Sequence, residues 1–92
     1  MADVVVTMKI MQASPDVDLE KIDDMVKAII EEHVGKGAYK SQQEPVAFGI
    51  KALIATFVMP EEGGKMDLIE KDVEALEGVQ SVNITDVRRS IG

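Results

Sequence analysis

The chain has 92 residues, 46% of them apolar and 29% charged, which is the composition of one globular domain (1–92) with no room for a second core. It has no cysteine, which excludes a disulfide framework, a thiol nucleophile and any cysteine-based metal or iron–sulfur centre. A net charge of −7 argues against binding nucleic acid by phosphate neutralisation. No apolar run approaches the ~20 residues of a membrane span, and no basic, then apolar, leader opens the chain. A soluble, cytoplasmic domain is therefore expected. The charge is unevenly spread: residues 16–32 and residues 60–77 each carry seven acids against two lysines, and the remainder is mildly basic.

In chain order, Val4, Val6, Met8 and Ile10 alternate with Val5, Thr7, Lys9 and Met11, which predicts a half-buried strand near 3–12. Ser14-Pro15-Asp16 breaks it. Asp18 is a suitable N-cap for a helix over 18–33, whose apolar positions Leu19, Ile22, Val26, Ile29 and Ile30 share one face. Gly35 and Gly37 stop that helix. Residues 38–47 are polar and extended around Pro45, as an edge strand would be. Residues 50–59 are apolar on both parities, as a central strand would be, with Leu53 and Phe57 assigned to the core and Ile54 to the open side. A second helix is expected over 66–77, with Met66, Ile69, Val73 and Leu76 as its stripe. Asp67 and Glu70 are a candidate capping box there, and Gly78 a stop. A last strand over 79–88 turns Val82 and Ile84 inward.

Strand, helix, strand, strand, helix, strand is the order of the ferredoxin-like α+β sandwich. It predicts a four-stranded antiparallel sheet in the order 4-1-3-2, with both helices on one face.

Most motifs that carry chemistry are missing. Gly35 to Ser41 falls short of a phosphate loop, because Tyr39 stands where the glycine before the lysine is needed and the stretch lies between helix and strand. His33 is the lone histidine, so neither a metal cluster nor a serine–histidine triad can be assembled. The helix carboxylates lack EF-hand spacing and read as a solvated acidic face. Base stacking in RNA-binding relatives of this plan needs aromatics on the central strands, where this chain has Val5, Thr7, Lys9 and Ile54. No cofactor is implied.

Two stretches are distinctive. Glu44-Pro45-Val46-Ala47-Phe48-Gly49-Ile50-Lys51, running into an apolar strand, resembles the guanine-nucleotide-exchange domain of the translation elongation factor 1-beta family. Val79-Gln80-Ser81-Val82-Asn83-Ile84 resembles that family's last strand, and the opening strand and acidic helix also fit, so the likeness extends over about 3–90. The short form resembles the archaeal members. The resemblance implies a non-catalytic factor that promotes exchange of GDP for GTP on the GTPase elongation factor 1-alpha. It implies a GTPase-binding set of Phe48, Gly49, Ile50, Lys51, Arg88 and Arg89. Phe48 would be the aromatic that grips one part of the GTPase. Arg89, with Arg88 before it, stands where the family carries a lysine that intrudes on the magnesium and phosphate region. This chain departs by having arginine there, followed by Ser90, Ile91 and Gly92.

The topology leads independently to a two-ended molecule. Phe48 falls at the end where the second and third strands meet. Arg88 and Arg89, with Lys36 and Lys65 in nearby loops, fall at the other end, roughly 30 Å away along a nine-residue strand. The alternative reading is a small-molecule-binding regulatory domain on the same plan, with its ligand at the first strand–helix loop. Ser14-Pro15-Asp16 lacks the glycine such a loop would want. Metal carriers on this plan are set aside by the missing cysteines.

Overall fold

A computed structural model describes residues 3–60 and 65–89. Its elements are β1 (Asp3–Gln12), α1 (Leu19–Val34), β2 (Tyr39–Ala47), β3 (Ile50–Pro60), α2 (Lys65–Glu74) and β4 (Val79–Arg89). The strands form one sheet in the order β2-β3-β1-β4 with every neighbouring pair antiparallel, the expected 4-1-3-2 arrangement.

Burial follows the alternation in the sequence. Val4, Val6, Met8 and Ile10 of β1 face Met59, Phe57, Ala55 and Leu53 of β3 across the ladder, and all eight are buried. Leu19, Ile22, Val26 and Ile30 of α1 and Ile69 and Val73 of α2 join the same cluster, which puts both helices on one face of the sheet. Phe57 is the one aromatic among the fully buried side chains, so this core holds together by interlocked aliphatic groups. The other sheet face, with Val5, Thr7, Lys9, Ile54 and Thr56, carries no helix, and Ile54 is half-buried there as expected.

The start of α1 is as the sequence predicts: the Asp18 carboxylate accepts the Glu20 N–H at 3.0 Å, satisfying a donor that the helix itself leaves unpaired. For α2 the expectation needs correcting. The helix already exists at Lys65, so Asp67 lies inside its first turn, where it suits the dipole but caps nothing, and no Asp67–Glu70 box forms. The helix also ends at Glu74 instead of 77. The Leu76 N–H reaches back only to the Val73 carbonyl (3.1 Å), and Gly78, at φ +95°, turns the chain into β4. A side chain at Gly78 would meet Val17 Cγ1 at 2.9 Å, so the α2–β4 turn is pressed against the β1–α1 loop. Glu61 and Glu62, two of the seven acids in the 60–77 segment, lie outside the described residues.

The polar edge strand β2 is tied to α1 by one carboxylate. Asp23 accepts the Ser41 hydroxyl at 2.7 Å and the Tyr39 phenol. Burial, then the hydrogen bond to Asp23 and the charge of that carboxylate, push the Tyr39 phenol well above the ordinary tyrosine value near 10. The folded state thus holds the Tyr39 proton more tightly than the unfolded chain does. This contribution is complete below about pH 10 and is lost as pH rises through the folded value. Tyr39→Phe is expected to cost about 1–2 kcal/mol at pH 7, because Asp23 loses a partner, and to flatten the fall in stability above pH 10. Chemical denaturation at pH 7 and pH 10.5 checks both.

Candidate functional site

The β2–β3 hairpin closes with Ala47 opposite Ile50, leaving Phe48-Gly49 as a two-residue loop. Both loop residues have positive φ, +53° for Phe48 and +77° for Gly49, the left-handed pair that a tight hairpin of type I′ needs. Glycine and asparagine take that conformation readily; for a phenylalanine it costs about 1–2 kcal/mol. The side chain recovers none of this by burial, since Phe48 is 97% exposed. Val46, skipped in the β2–β3 register, is also exposed, and with Pro45 and Ala47 it makes the tip apolar. A Cβ at Gly49 would lie 3.5 Å from Pro15 Cγ, so the hairpin tip rests against the β1–α1 loop.

Below the tip, Ile50 is half-buried and Lys51 exposed. The Lys51 N–H donates to the Gln12 side-chain oxygen Oε1 at 2.8 Å, and Gln12 Nε2 donates to the Val17 carbonyl at 2.9 Å. Sequence reasoning missed Gln12. The available signal was its parity: it follows Val4, Val6, Met8 and Ile10 on the inward side of β1, where a polar residue needs a reason. A shallow cavity of about 240 Å³ lies beside it, lined in part by Pro15, Asp18, Gln43 and Lys51.

At the opposite end, β4 finishes beside the start of β1. A register skip at Thr85 inserts one residue, so Asp86 pairs with Thr7, Val87 with Val6, Arg88 with Val5 and Arg89 with Val4. Arg88 therefore stands on the open face with Asp86, and its Nε lies 2.8 Å from Asp86 Oδ2. Arg89 stands on the helix side, in register with Val4. The two arginines treated together in the sequence thus belong to different faces. Lys36 is at this end as expected, in the loop after α1 that borders Asp3 and Pro60. Lys65 is at this end too, but as the first residue of α2 instead of in a loop; its Nζ donates to the His33 carbonyl at 3.1 Å, while His33 Nε2 lies 2.6 Å from Asp72 Oδ2. Ser90, Ile91 and Gly92 lie outside the described residues.

The eleven residues of β3 run from one end to the other, roughly 33 Å, in a molecule whose longest dimension is 42 Å. The structure therefore groups Phe48, Gly49, Ile50 and Lys51 at one pole and Arg88 and Arg89 at the other. Among the described residues, no three His, Asp or Glu side chains converge on a point where a metal ion would be held, and no helix is long and apolar enough to cross a membrane.

Comparison with known proteins gives a consistent picture. Residues 5–89 match the family described as the EF-1 guanine nucleotide exchange domain. Elongation factor 1-beta of Methanothermobacter thermautotrophicus is 40% identical over 89 residues, covering 97% of this chain and 98% of that protein. The proteins of the same name from Methanosphaera stadtmanae and Natronomonas pharaonis are each 36% identical over 89 residues, covering 97% of this chain and 98% and 99% of theirs. Among solved structures, the C-terminal domain of the MgtC protein from Mycobacterium tuberculosis shares the fold alone. It has a TM-score of 0.59 and 13% identity, and the match covers 98% of this chain and 88% of that one.

Proposed function

The chain belongs to the EF-1 guanine nucleotide exchange domain family, and on that premise we propose that it promotes exchange of GDP for GTP on the GTPase elongation factor 1-alpha by gripping it at two separate points. The observation that carries this reading is Phe48: an aromatic side chain held in a left-handed turn and 97% exposed has no folding role to explain it. A pocket on a partner supplies one. Gly49 permits the turn, Ile50 and Lys51 anchor its root, and Phe48 is the projecting hot spot.

The arginine pole acts on the nucleotide. A GTPase holds GDP through Mg²⁺ and oriented phosphate contacts, and a cation brought into that region competes with the metal and disorders the cradle. Arg89, in the place of the family lysine, is the residue assigned that task, with Arg88 beside it on the other face of the strand. By linkage, a factor that binds the empty GTPase better than the GDP-bound form lowers GDP affinity by the same ratio. The factor makes and breaks no bond itself, so it is not an enzyme. Its work is done in the cytoplasm with no direct hold on nucleic acid or membrane.

The small-molecule reading would place its ligand in the β1–α1 cavity. There the amide of Gln12 is already spent on Val17 and Lys51, and the Asp18 carboxylate on the helix cap. The other polar side chains that line it, Glu20, Gln43 and Lys51, are all exposed, so the cavity's one buried polar side chain is already committed. Release of fluorescent GDP from elongation factor 1-alpha, followed as this protein is titrated in, tests the proposal. Saturable acceleration is expected, and an unchanged release rate would refute it.

A further inference from the structure

We infer that Gln12 is a positioning residue that aims the Phe48 hairpin, an inference that rests on the proposed GTPase contact at that tip. Among the described residues Gln12 is the one buried polar side chain, 3% exposed, and both ends of its amide are matched. Backbone pairing between β1 and β3 ends at Met11 and Ala52. Lys51 is one step past that ladder, with its N–H still directed toward β1. Gln12 Oε1 therefore adds the rung that backbone atoms no longer supply, and adds it three residues from Phe48. Its Nε2 pins Val17 in the loop whose Pro15 lies against Gly49. One side chain thus joins the end of β1, the β1–α1 loop and the root of the hairpin.

That junction matters because little else steadies the tip. The register skip at Val46 interrupts the β2–β3 ladder just before the turn, and Val46, Ala47 and Phe48 all face solvent. A side chain that must enter a pocket loses affinity when its mount is free to wander, since the lost freedom is then charged to binding. Removing the Gln12 amide is therefore expected to act on recognition at the Phe48 pole and to leave the arginine pole's work on the nucleotide alone.

The test is a pair of titrations of the GDP-release rate, with Gln12→Met made in the wild-type and in the Phe48→Ala backgrounds. Alone, Gln12→Met is expected to raise the half-saturating concentration by roughly tenfold while the saturated rate stays the same. With Phe48 already truncated, it should change neither. The Lys51 amide is expected to be protected from hydrogen exchange in the wild type and to lose that protection in Gln12→Met. If Phe48→Ala weakens half-saturation but Gln12→Met does not, the inference falls while the GTPase contact stands. If the Gln12→Met effect is equally large in both backgrounds, Gln12 supports folding in general and aims nothing. If Phe48→Ala itself has no effect, the contact reading fails and takes the inference with it. Should Gln12→Met not fold, the wild-type measurement decides alone: a Lys51 amide exchanging as fast as those of the exposed tip overturns the proposal.

Discussion

Phe48→Asn is expected to raise the melting temperature while weakening binding to the GTPase about 30-fold. The two effects have separate causes. At φ +53° a phenylalanine sits in a backbone conformation that asparagine takes with little cost, and asparagine before glycine is a favoured pair for this turn. Relief of about 1 kcal/mol corresponds to a rise of about 4–8 °C in a domain of this size. No packing is forfeited, because the ring is 97% exposed. Binding moves the other way, since an aromatic anchor in a desolvated pocket is worth about 2 kcal/mol or more. Phe48→Ala separates the terms: it removes the ring, keeps the turn strained, and should lose binding with the melting temperature almost unmoved. Calorimetric melting and titration against elongation factor 1-alpha check both variants. A melting temperature that collapses in either one would mean that Phe48 serves the fold.

Arg89→Ala is expected to reduce the saturated rate of GDP release by more than tenfold and to weaken binding much less. The loss in rate follows from the work assigned to the cation. A charge delivered into a water-poor phosphate and metal site acts through a low effective dielectric. The same charge at the end of an edge strand adds at most about 1 kcal/mol to folding, so the melting temperature should barely shift. Arg89→Lys should keep most of the activity, because the resembling family uses lysine for this intrusion. Arg88→Ala should have a small effect, since Arg88 stands on the open face in a solvent-exposed pair with Asp86. The reverse pattern, with Arg88→Ala inactive and Arg89→Ala normal, would move the task one residue toward the N-terminus. Stopped-flow measurement of GDP release distinguishes the two.

The fold was legible because its signals are local and repetitive. Alternation through β1 and the Leu19, Ile22, Val26, Ile30 stripe each repeat several times within one element, and Asp18 caps its helix through an atom two residues away. The expected Asp67–Glu70 box failed because a capping pattern has the same appearance within the first turn of a helix as at its cap. Long-range features were out of reach. Gln12 is understood only through Lys51, 39 positions later, and Asp23 only through Tyr39 and Ser41 on another element. The skip at Thr85 has no compositional mark, yet it decides which arginine shares a face with Asp86. Phe48 was legible as a functional candidate through family resemblance. The structure adds what the residues alone do not show, a ring 97% exposed on a left-handed turn.

The claim that the two poles do different work is open to one direct measurement. GDP release from elongation factor 1-alpha is followed over a titration of wild-type protein, Phe48→Ala and Arg89→Ala, and the half-saturating concentration and the saturated rate are read separately. Phe48→Ala is expected to raise the half-saturating concentration about 30-fold, the equivalent of 2 kcal/mol, and to reach nearly the wild-type rate. Arg89→Ala should saturate near the wild-type concentration at a much lower rate. If both variants change the same parameter, the poles do not divide recognition from nucleotide release, and the two-point account is wrong.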